Sequence, residues 1–271
     1  MIGETRDSTI AALKMEPRLA ALRRSLDVYY GDSVRDAAMD KLYSRFIRPG
    51  DLAIDIGSHV GDRIASFRRL GARVVALEPQ PDCACVIRAI HGSDRQVKLI
   101  EAACGAREGL LMLQVNSANP TVTTASSAFV RAAVGAKGWE GQSWDRQVEV
   151  PVTTLDALIS THGVPAFVKI DVEGFEYDVL LGLSEPLAAL SFEFTTIQRD
   201  VAHRCLSRLT SLGDYRFNLS LGESHALTLE EWVTAKEMDH QLASLQHDAN
   251  SGDVYAILKS SRLCKLERRD T

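Results

Sequence analysis

The chain has 271 residues, 45% of them hydrophobic and 25% charged, which is typical of a globular protein with a sizeable core. Its net charge of -5 offers no basic field for a nucleic-acid backbone, so we expect no nucleic-acid partner. Since no apolar run approaches the roughly 18 residues that span a bilayer, and the first residues lack the apolar core of a secretory signal, we expect a cytoplasmic protein with no membrane partner.

Apolar residues at helical spacing open the chain. Residues 8 to 46 predict mostly helix, with a break at Tyr29, Tyr30 and Gly31. We expect residues 1 to 48 to form a helical extension and residues 49 to 271 to form the main part of a single domain. Such an extension can serve a dimer interface, so a homo-oligomer is left open.

From Asp51 onward, short apolar runs alternate with amphipathic segments. This alternation predicts an α/β fold, with a parallel sheet and crossover helices on its faces. Strands are predicted at 52–56, 73–77, 97–102, 110–115, 148–152, 167–170, 190–194, 215–219 and 253–258, with the main sheet resuming at 148–152. Helices are predicted at 60–70, 81–90, 155–161, 176–183, 198–212 and 227–245.

Residues 116 to 147 show little periodicity and predict a long loop. Trp139 and Trp144 within it either line a ligand pocket or hold the loop on the core. The late helix at 227–245 either covers a site or packs on the sheet.

Two acidic segments follow the first two predicted strands. The loop DIGSHVG occupies residues 55 to 61, and Glu78 with Pro79 follows the second strand. Because the carboxyl ends of neighbouring parallel strands meet at one edge of the sheet, one nucleoside cofactor can contact both segments. The predicted cofactor-binding residues here are Asp55, Gly57, Ser58, His59, Gly61, Glu78 and Pro79.

Charge selects among nucleosides. Asp55 lies two residues before the first glycine, where a carboxylate would repel the pyrophosphate of a dinucleotide. S-adenosylmethionine carries an ammonium group, a sulfonium and no phosphate, so an acidic loop attracts it. His59 also occupies the middle glycine position of G-x-G-x-x-G. S-adenosylmethionine is therefore the preferred cofactor, and a nucleotide-binding oxidoreductase is the alternative.

More carboxylates follow the later strands. Asp171 and Glu173 come after the strand at 167–170, and Glu193 lies within the apolar strand at 190–194. Ligands of open parallel sheets bind beyond these strand ends, and acids so close together need a nearby cation, Lys169, a metal ion or solvent. These three acids and His59 are candidate general bases.

Metal binding is not required by any spacing in the chain. The five cysteines include no C-x-x-C pair, so we predict no metal ligands. A divalent cation held by the carboxylates is left open.

The segments DIGSHVG, ALEPQP, IEAACG, VPVTTLDALI and FVKIDVEGFE, in this order, resemble the FkbM family of class I S-adenosylmethionine-dependent methyltransferases. The resemblance implies a Rossmann-like sheet of seven strands whose last strand is antiparallel. It also implies O-methylation of a hydroxyl on a small molecule, natural product or sugar. A binding module that senses the cofactor without chemistry is a further alternative.

The resemblance also assigns residues. It implies that Glu101 and Ala103 lie on the adenine side of the cofactor, and that Asp171 and Glu173 lie at the methyl-transfer centre, with Asp171 also contacting the cofactor. His59 and Glu101 replace asparagines that are usual in the family.

Overall fold

A mixed sheet of seven strands forms the centre of the fold in the computed structural model, which describes residues 2–261 and the side chains of residues 6–261. The strands are β1 (Leu52–Ile56), β2 (Arg73–Leu77), β3 (Val97–Ile100), β4 (Ala103–Cys104), β5 (Gly109–Val115), β6 (Arg146–Thr153), β7 (Phe167–Ile170), β8 (Ala189–Thr195), β9 (Tyr215–Leu221) and β10 (Ser251–Leu258). The order across the main sheet is β3-β2-β1-β7-β8-β10-β9. Strand β10 is antiparallel to both of its neighbours, and the pairs from β3 to β8 are parallel. The predicted α/β sheet with an antiparallel last strand is confirmed.

Helices cover both faces of this sheet. The helices are α1 (Ile2–Met15), α2 (Arg23–Tyr29), α3 (Ser33–Tyr43), α4 (Asp62–Arg69), α5 (Pro81–His91), α6 (Ser127–Ala133), α7 (Leu155–His162), α8 (Glu176–Leu181), α9 (Arg199–Leu212) and α10 (Ala235–Ser244). Leu52, Ile54 and Ile56 point into the core under α7 to α10, while Ala53 points into the core under α3 to α5, because successive strand residues face opposite sides. In the part of the chain that the structure describes, no helix combines the length and the hydropathy needed to cross a membrane.

The N-terminal segment is helical but interrupted. A 3-10 turn at Pro17–Leu22 separates α1 from α2. Asp32 then starts α3 by accepting hydrogen bonds from the backbone nitrogens of Val34 and Arg35 at 2.9 and 3.0 Å. The buried leucines of this segment pack with Val60 and residues of α5, so the segment covers the glycine-containing loop after β1.

The strands predicted at 110–115 and 148–152 exist but do not join the main sheet. Strand β6 pairs antiparallel with β5 and parallel with β4, which forms a separate three-stranded sheet. Leu113, Val115 and Val150 share a small core of their own there. The prediction that the main sheet resumes at 148–152 is wrong, because β6 takes its neighbour along the chain as its partner.

The helix predicted at 227–245 is wrong in its first half. Thr234 caps α10 and forms a reciprocal capping box with Glu237, which sets the start of the helix. Before it, Val233 pairs with Phe217 in an antiparallel bridge. The apolar residues that suggested helix therefore lie partly in an extended segment beside β9.

Candidate active site

A cavity of about 320 Å³ opens at the carboxyl ends of β1, β2, β7 and β8. This edge is where an open parallel sheet places its ligands. Most of the predicted site residues line the cavity, namely Asp55, Gly57, Ser58, His59, Glu78, Pro79, Ala103, Asp171, Glu173 and Glu193. Gly61 and Glu101 do not line it.

Asp55 is a buried carboxylate at the next-to-last position of β1. Its side chain is 1% exposed, and within residues 2–261 its Oδ2 atom has no hydrogen-bond partner. Burial raises the pKa of Asp55 to about 7. Because an unpaired buried carboxylate is costly, this atom is suited to a cationic group entering the cavity.

Glu78 holds the loops that follow β1 and β2. Its two carboxylate oxygens accept hydrogen bonds from the backbone nitrogens of His59 and Gln80, each at 2.8 Å. Burial raises the pKa of Glu78 to about 8. The carboxylate is thus fixed at the cavity wall and can accept further hydrogen bonds from a ligand.

His59 turns its ring toward the N-terminal helices. Its Nε2 atom lies 2.8 Å from Ser25 Oγ, and its Nδ1 atom lies 3.6 Å from Cys83 Sγ. Burial lowers the pKa of His59 to about 4. Because both ring nitrogens face α2 and α5, we expect His59 to shape the loop through its backbone and not to act as a general base.

Asp171, Glu173 and Glu193 converge at the ends of β7 and β8. One carboxylate oxygen from each of them lies within 4.8 Å of the others. Burial, followed by the charge of Asp171, raises the pKa values of Glu173 and Glu193 well above their ordinary range. A raised pKa means that the ionised form of each group takes up a proton more readily than an exposed carboxylate does, so both are candidate proton acceptors in a reaction.

Lys169 balances part of this negative charge. Its side chain is 1% exposed, and its Nζ atom lies 3.0 Å from Asp171 Oδ2 and 2.8 Å from Asp253 Oδ1. Glu176 has a structural role. Its Oε1 atom accepts hydrogen bonds from the backbone nitrogens of Val172 and Gly174. Glu176 therefore shapes the loop that carries Glu173.

Glu101 is the predicted cofactor contact that the structure places apart. Its side chain is 47% exposed and forms an ion pair with Arg88. Ala103, two residues later, lines the cavity. The segment predicted to lie on the adenine side therefore contributes small residues to the cavity wall, and the Glu101 carboxylate lies outside the cavity.

Sequence reasoning missed the polar rim of the cavity. Arg35 binds Asp62 and Glu223 at 2.7 and 2.8 Å, and Arg63 contacts the same two acids. This network joins α3, α4 and the loop after β9. The only sequence signal was the charged pair Asp62 and Arg63 directly after the glycine-containing loop.

The two tryptophans of the long loop have different tasks. Trp139 lines the cavity and also packs edge-on against Phe129, with ring centres 5.2 Å apart. Trp144 donates a hydrogen bond from Nε1 to the carbonyl oxygen of Val122 at 2.8 Å. Both interpretations of the sequence therefore apply, one to each residue.

Gly57 lets the loop after β1 cross close to the end of β7. Its φ is +83°, and a Cβ atom at this position would lie 1.8 Å from the carbonyl oxygen of Asp171. Gly50 has a similar φ of +87° but open space around it.

Gly57→Ala is expected to lower the free energy of unfolding by at least about 2 kcal/mol more than Gly50→Ala, because only Gly57 adds a backbone clash to the unfavourable φ. Urea unfolding of both variants measures the difference. Equal losses of unfolding free energy in the two variants would show that the close approach of Gly57 to Asp171 does not affect stability.

Comparison with known proteins gives similarities of three kinds, to a family model, to a relative and to solved structures. The family model described as the methyltransferase FkbM domain matches residues 55–245. Hexuronic acid methyltransferase AglP of Haloferax volcanii is 27% identical over 163 residues, a match that covers 59% of this chain and 62% of the relative's length.

Two solved structures resemble the fold. An O-methyltransferase from Bacillus cereus in complex with SAH has a TM-score of 0.46 at 11% identity, and the match covers 93% of this chain and 91% of the other. A precorrin-6y C5,15-methyltransferase from Geobacter metallireducens has a TM-score of 0.44 at 15% identity, and the match covers 85% of this chain and 90% of the other.

Proposed function

The chain belongs to the FkbM methyltransferase family, and from this premise we propose that it transfers a methyl group from S-adenosylmethionine to a hydroxyl group of a sugar or other small molecule. The observation that carries the proposal is the buried Oδ2 atom of Asp55, which lies in the cavity beside the glycine-containing loop and has no hydrogen-bond partner among the described residues. A cofactor with an ammonium group and a sulfonium supplies the positive charge that this atom lacks.

We assign the cofactor to the β1 and β2 side of the cavity. In this assignment the Glu78 carboxylate accepts hydrogen bonds from the ribose hydroxyls, in addition to those from His59 and Gln80. The adenine ring lies near Pro79 and Ala103, and the methyl group points toward Asp171.

Methyl transfer is an in-line displacement, so the chain must hold an acceptor oxygen behind the methyl carbon and exclude water. Glu173 and Glu193 are the proposed proton acceptors, because both line the cavity and their raised pKa values make the ionised forms stronger bases than exposed carboxylates. Lys169, which pairs with Asp171, fixes the position of that carboxylate.

We propose a sugar as the acceptor, and a sugar acid as the first compound to test. The support is the similarity to the hexuronic acid methyltransferase AglP, which is 27% identical over 59% of this chain. The test is incubation with isotopically labelled S-adenosylmethionine and glycosides of hexuronic acids and of neutral hexoses, followed by mass spectrometry and NMR.

The expected product is an O-methyl ether on a sugar. Binding of S-adenosylhomocysteine without transfer to any acceptor would favour a non-catalytic binding module. Thermal stabilisation by NADH, in place of S-adenosylhomocysteine, would favour the oxidoreductase alternative, because a true ligand raises the melting temperature by mass action.

Cofactor affinity should rise with pH. In the free protein, burial raises the pKa of Asp55 to about 7 and that of Glu78 to about 8, so both carboxyls are mostly protonated near pH 6. The ionised forms bind a cationic ligand better, so affinity for S-adenosylmethionine should increase at least about fivefold from about pH 6 to about pH 7.5. This window lies below the ordinary pKa of an α-amino group, about 7.7 to 8.0, so most of the ligand keeps its ammonium charge throughout.

Isothermal calorimetry in buffers of different ionisation enthalpy would count the protons released on binding. A flat affinity profile with no proton release would contradict the assignment of these two carboxylates to the cofactor.

A further inference from the structure

The carboxylates of Asp171, Glu173 and Glu193 have the spacing of ligands to one ion. Among the described residues they form a group of metal-ligand type, with one oxygen from each within 4.8 Å of the others. Calcium binds oxygens at about 2.3 to 2.6 Å, so two ligands on opposite sides of one ion are about 4.6 to 5.2 Å apart. The three oxygens are thus already close enough to contact a single ion.

One of these side chains also lacks a partner for a buried oxygen among the residues that the structure describes. In the chain from residue 2 to 261, the buried Oε2 atom of Glu193 accepts no hydrogen bond. The Glu173 residue is 9% exposed and lines the same cavity. An exposed acid cluster is satisfied by water, whereas carboxylates buried to this degree need a ligand or a proton.

Among the described residues, positive side chains do not balance the negative charge of these three carboxylates. Lys169 is the ammonium group that contacts the cluster, and that group also pairs with Asp253. S-adenosylmethionine brings an ammonium, a sulfonium and a carboxylate, which leaves one net positive charge. Asp55 and Glu78 on the other side of the cavity already compete for that charge. When the three acids are ionised, their negative charge therefore exceeds the positive charge that Lys169 and the cofactor supply.

We propose that Asp171, Glu173 and Glu193 bind one divalent cation of the oxygen-preferring type, and that this ion binds the acceptor hydroxyl. The second part rests on the proposed function. The ion lowers the pKa of the hydroxyl and holds its oxygen behind the methyl carbon. The new bond joins that oxygen to the methyl carbon, and the carbon–sulfur bond breaks with its electron pair left on sulfur. The hydroxyl proton passes to a carboxylate oxygen that does not contact the ion.

The first experiment measures the cation alone. The full chain is stripped with EDTA, dialysed, and titrated separately with Mn²⁺ and Ca²⁺ by calorimetry, with electron paramagnetic resonance to count bound Mn²⁺. One ion per chain is expected. Glu193→Gln should weaken its binding at least about tenfold, because each carboxylate contributes charge and a ligand atom. Glu185→Gln is the matched control, since Glu185 is exposed and outside the cavity.

Glu173→Gln provides a second variant in case Glu193→Gln does not fold, as judged by its melting curve. The absence of saturable binding, or equal binding by the wild type and both variants, would overturn the cation site. S-adenosylhomocysteine affinity in EDTA is measured in parallel. Because the cofactor contacts lie at Asp55 and Glu78, this affinity tests the proposed function separately from the cation.

Discussion

Glu78→Ala is expected to weaken S-adenosylhomocysteine binding by about 1 to 3 kcal/mol, or roughly 5- to 150-fold in Kd, because a charged hydrogen-bond acceptor for the ribose is lost. The change also leaves two backbone nitrogens, those of His59 and Gln80, without their acceptor. Glu78→Gln retains an acceptor oxygen for one of them, so it should keep the loop better ordered while still losing the charge. Calorimetry measures both variants.

Glu101→Ala is the matched control for this experiment. Glu101 follows β3, as Glu78 follows the adjacent strand β2, but its carboxylate pairs with Arg88 outside the cavity. We expect Glu101→Ala to keep the affinity of the wild type. A similar loss in both variants would support the assignment of Glu101 that the family resemblance implies, and it would contradict the position of the side chain in this structure.

The central strands could be predicted to the residue from the sequence. Strands β1 and β2 occur at the predicted ranges, because a strand buried on both faces is a continuous apolar run bounded by polar turns. Acids at the carboxyl ends of such runs must lie at one edge of the sheet, which is why the sequence alone places Asp55, Glu78 and Asp171 together.

The choice of pairing partner for each strand was harder to predict from the sequence. Strand β6 has the alternation of any half-buried strand, and the sequence does not state that its partner is β5 and not β7. The segment before α10 was also ambiguous, because its apolar spacing fits a helix. Its extended form depends on Asn218, whose side chain binds both the nitrogen and the oxygen of Leu229 from the neighbouring strand.

The rim of the cavity was missed for the same reason. Arg35 and Glu223 are 188 residues apart in the chain and meet only when α3 and the loop after β9 pack together. No local pattern marks such a pair, whereas the motif residues of the cavity are identified by the strands that precede them.

Asp171→Asn should reduce turnover far more than cofactor affinity. Asp171 lines the cavity at the end of β7, and its carboxylate is about one-third exposed and held by Lys169 at 3.0 Å. The substitution keeps the shape of the side chain and removes the charge beside the methyl-transfer centre. We expect kcat to fall at least about 100-fold, while Kd for S-adenosylhomocysteine changes by less than about threefold.

Asp253→Asn offers a comparison for this variant. Asp253 is the other partner of Lys169, at 2.8 Å, and it does not line the cavity. Both substitutions remove one carboxylate from the same buried ammonium group, so their losses of folding stability should be similar. Their losses of turnover should differ, since only Asp171 faces the reacting groups. Equal turnover in the two variants would mean that Asp171 acts only through Lys169, and a large rise in Kd for Asp171→Asn would place it among the cofactor contacts instead.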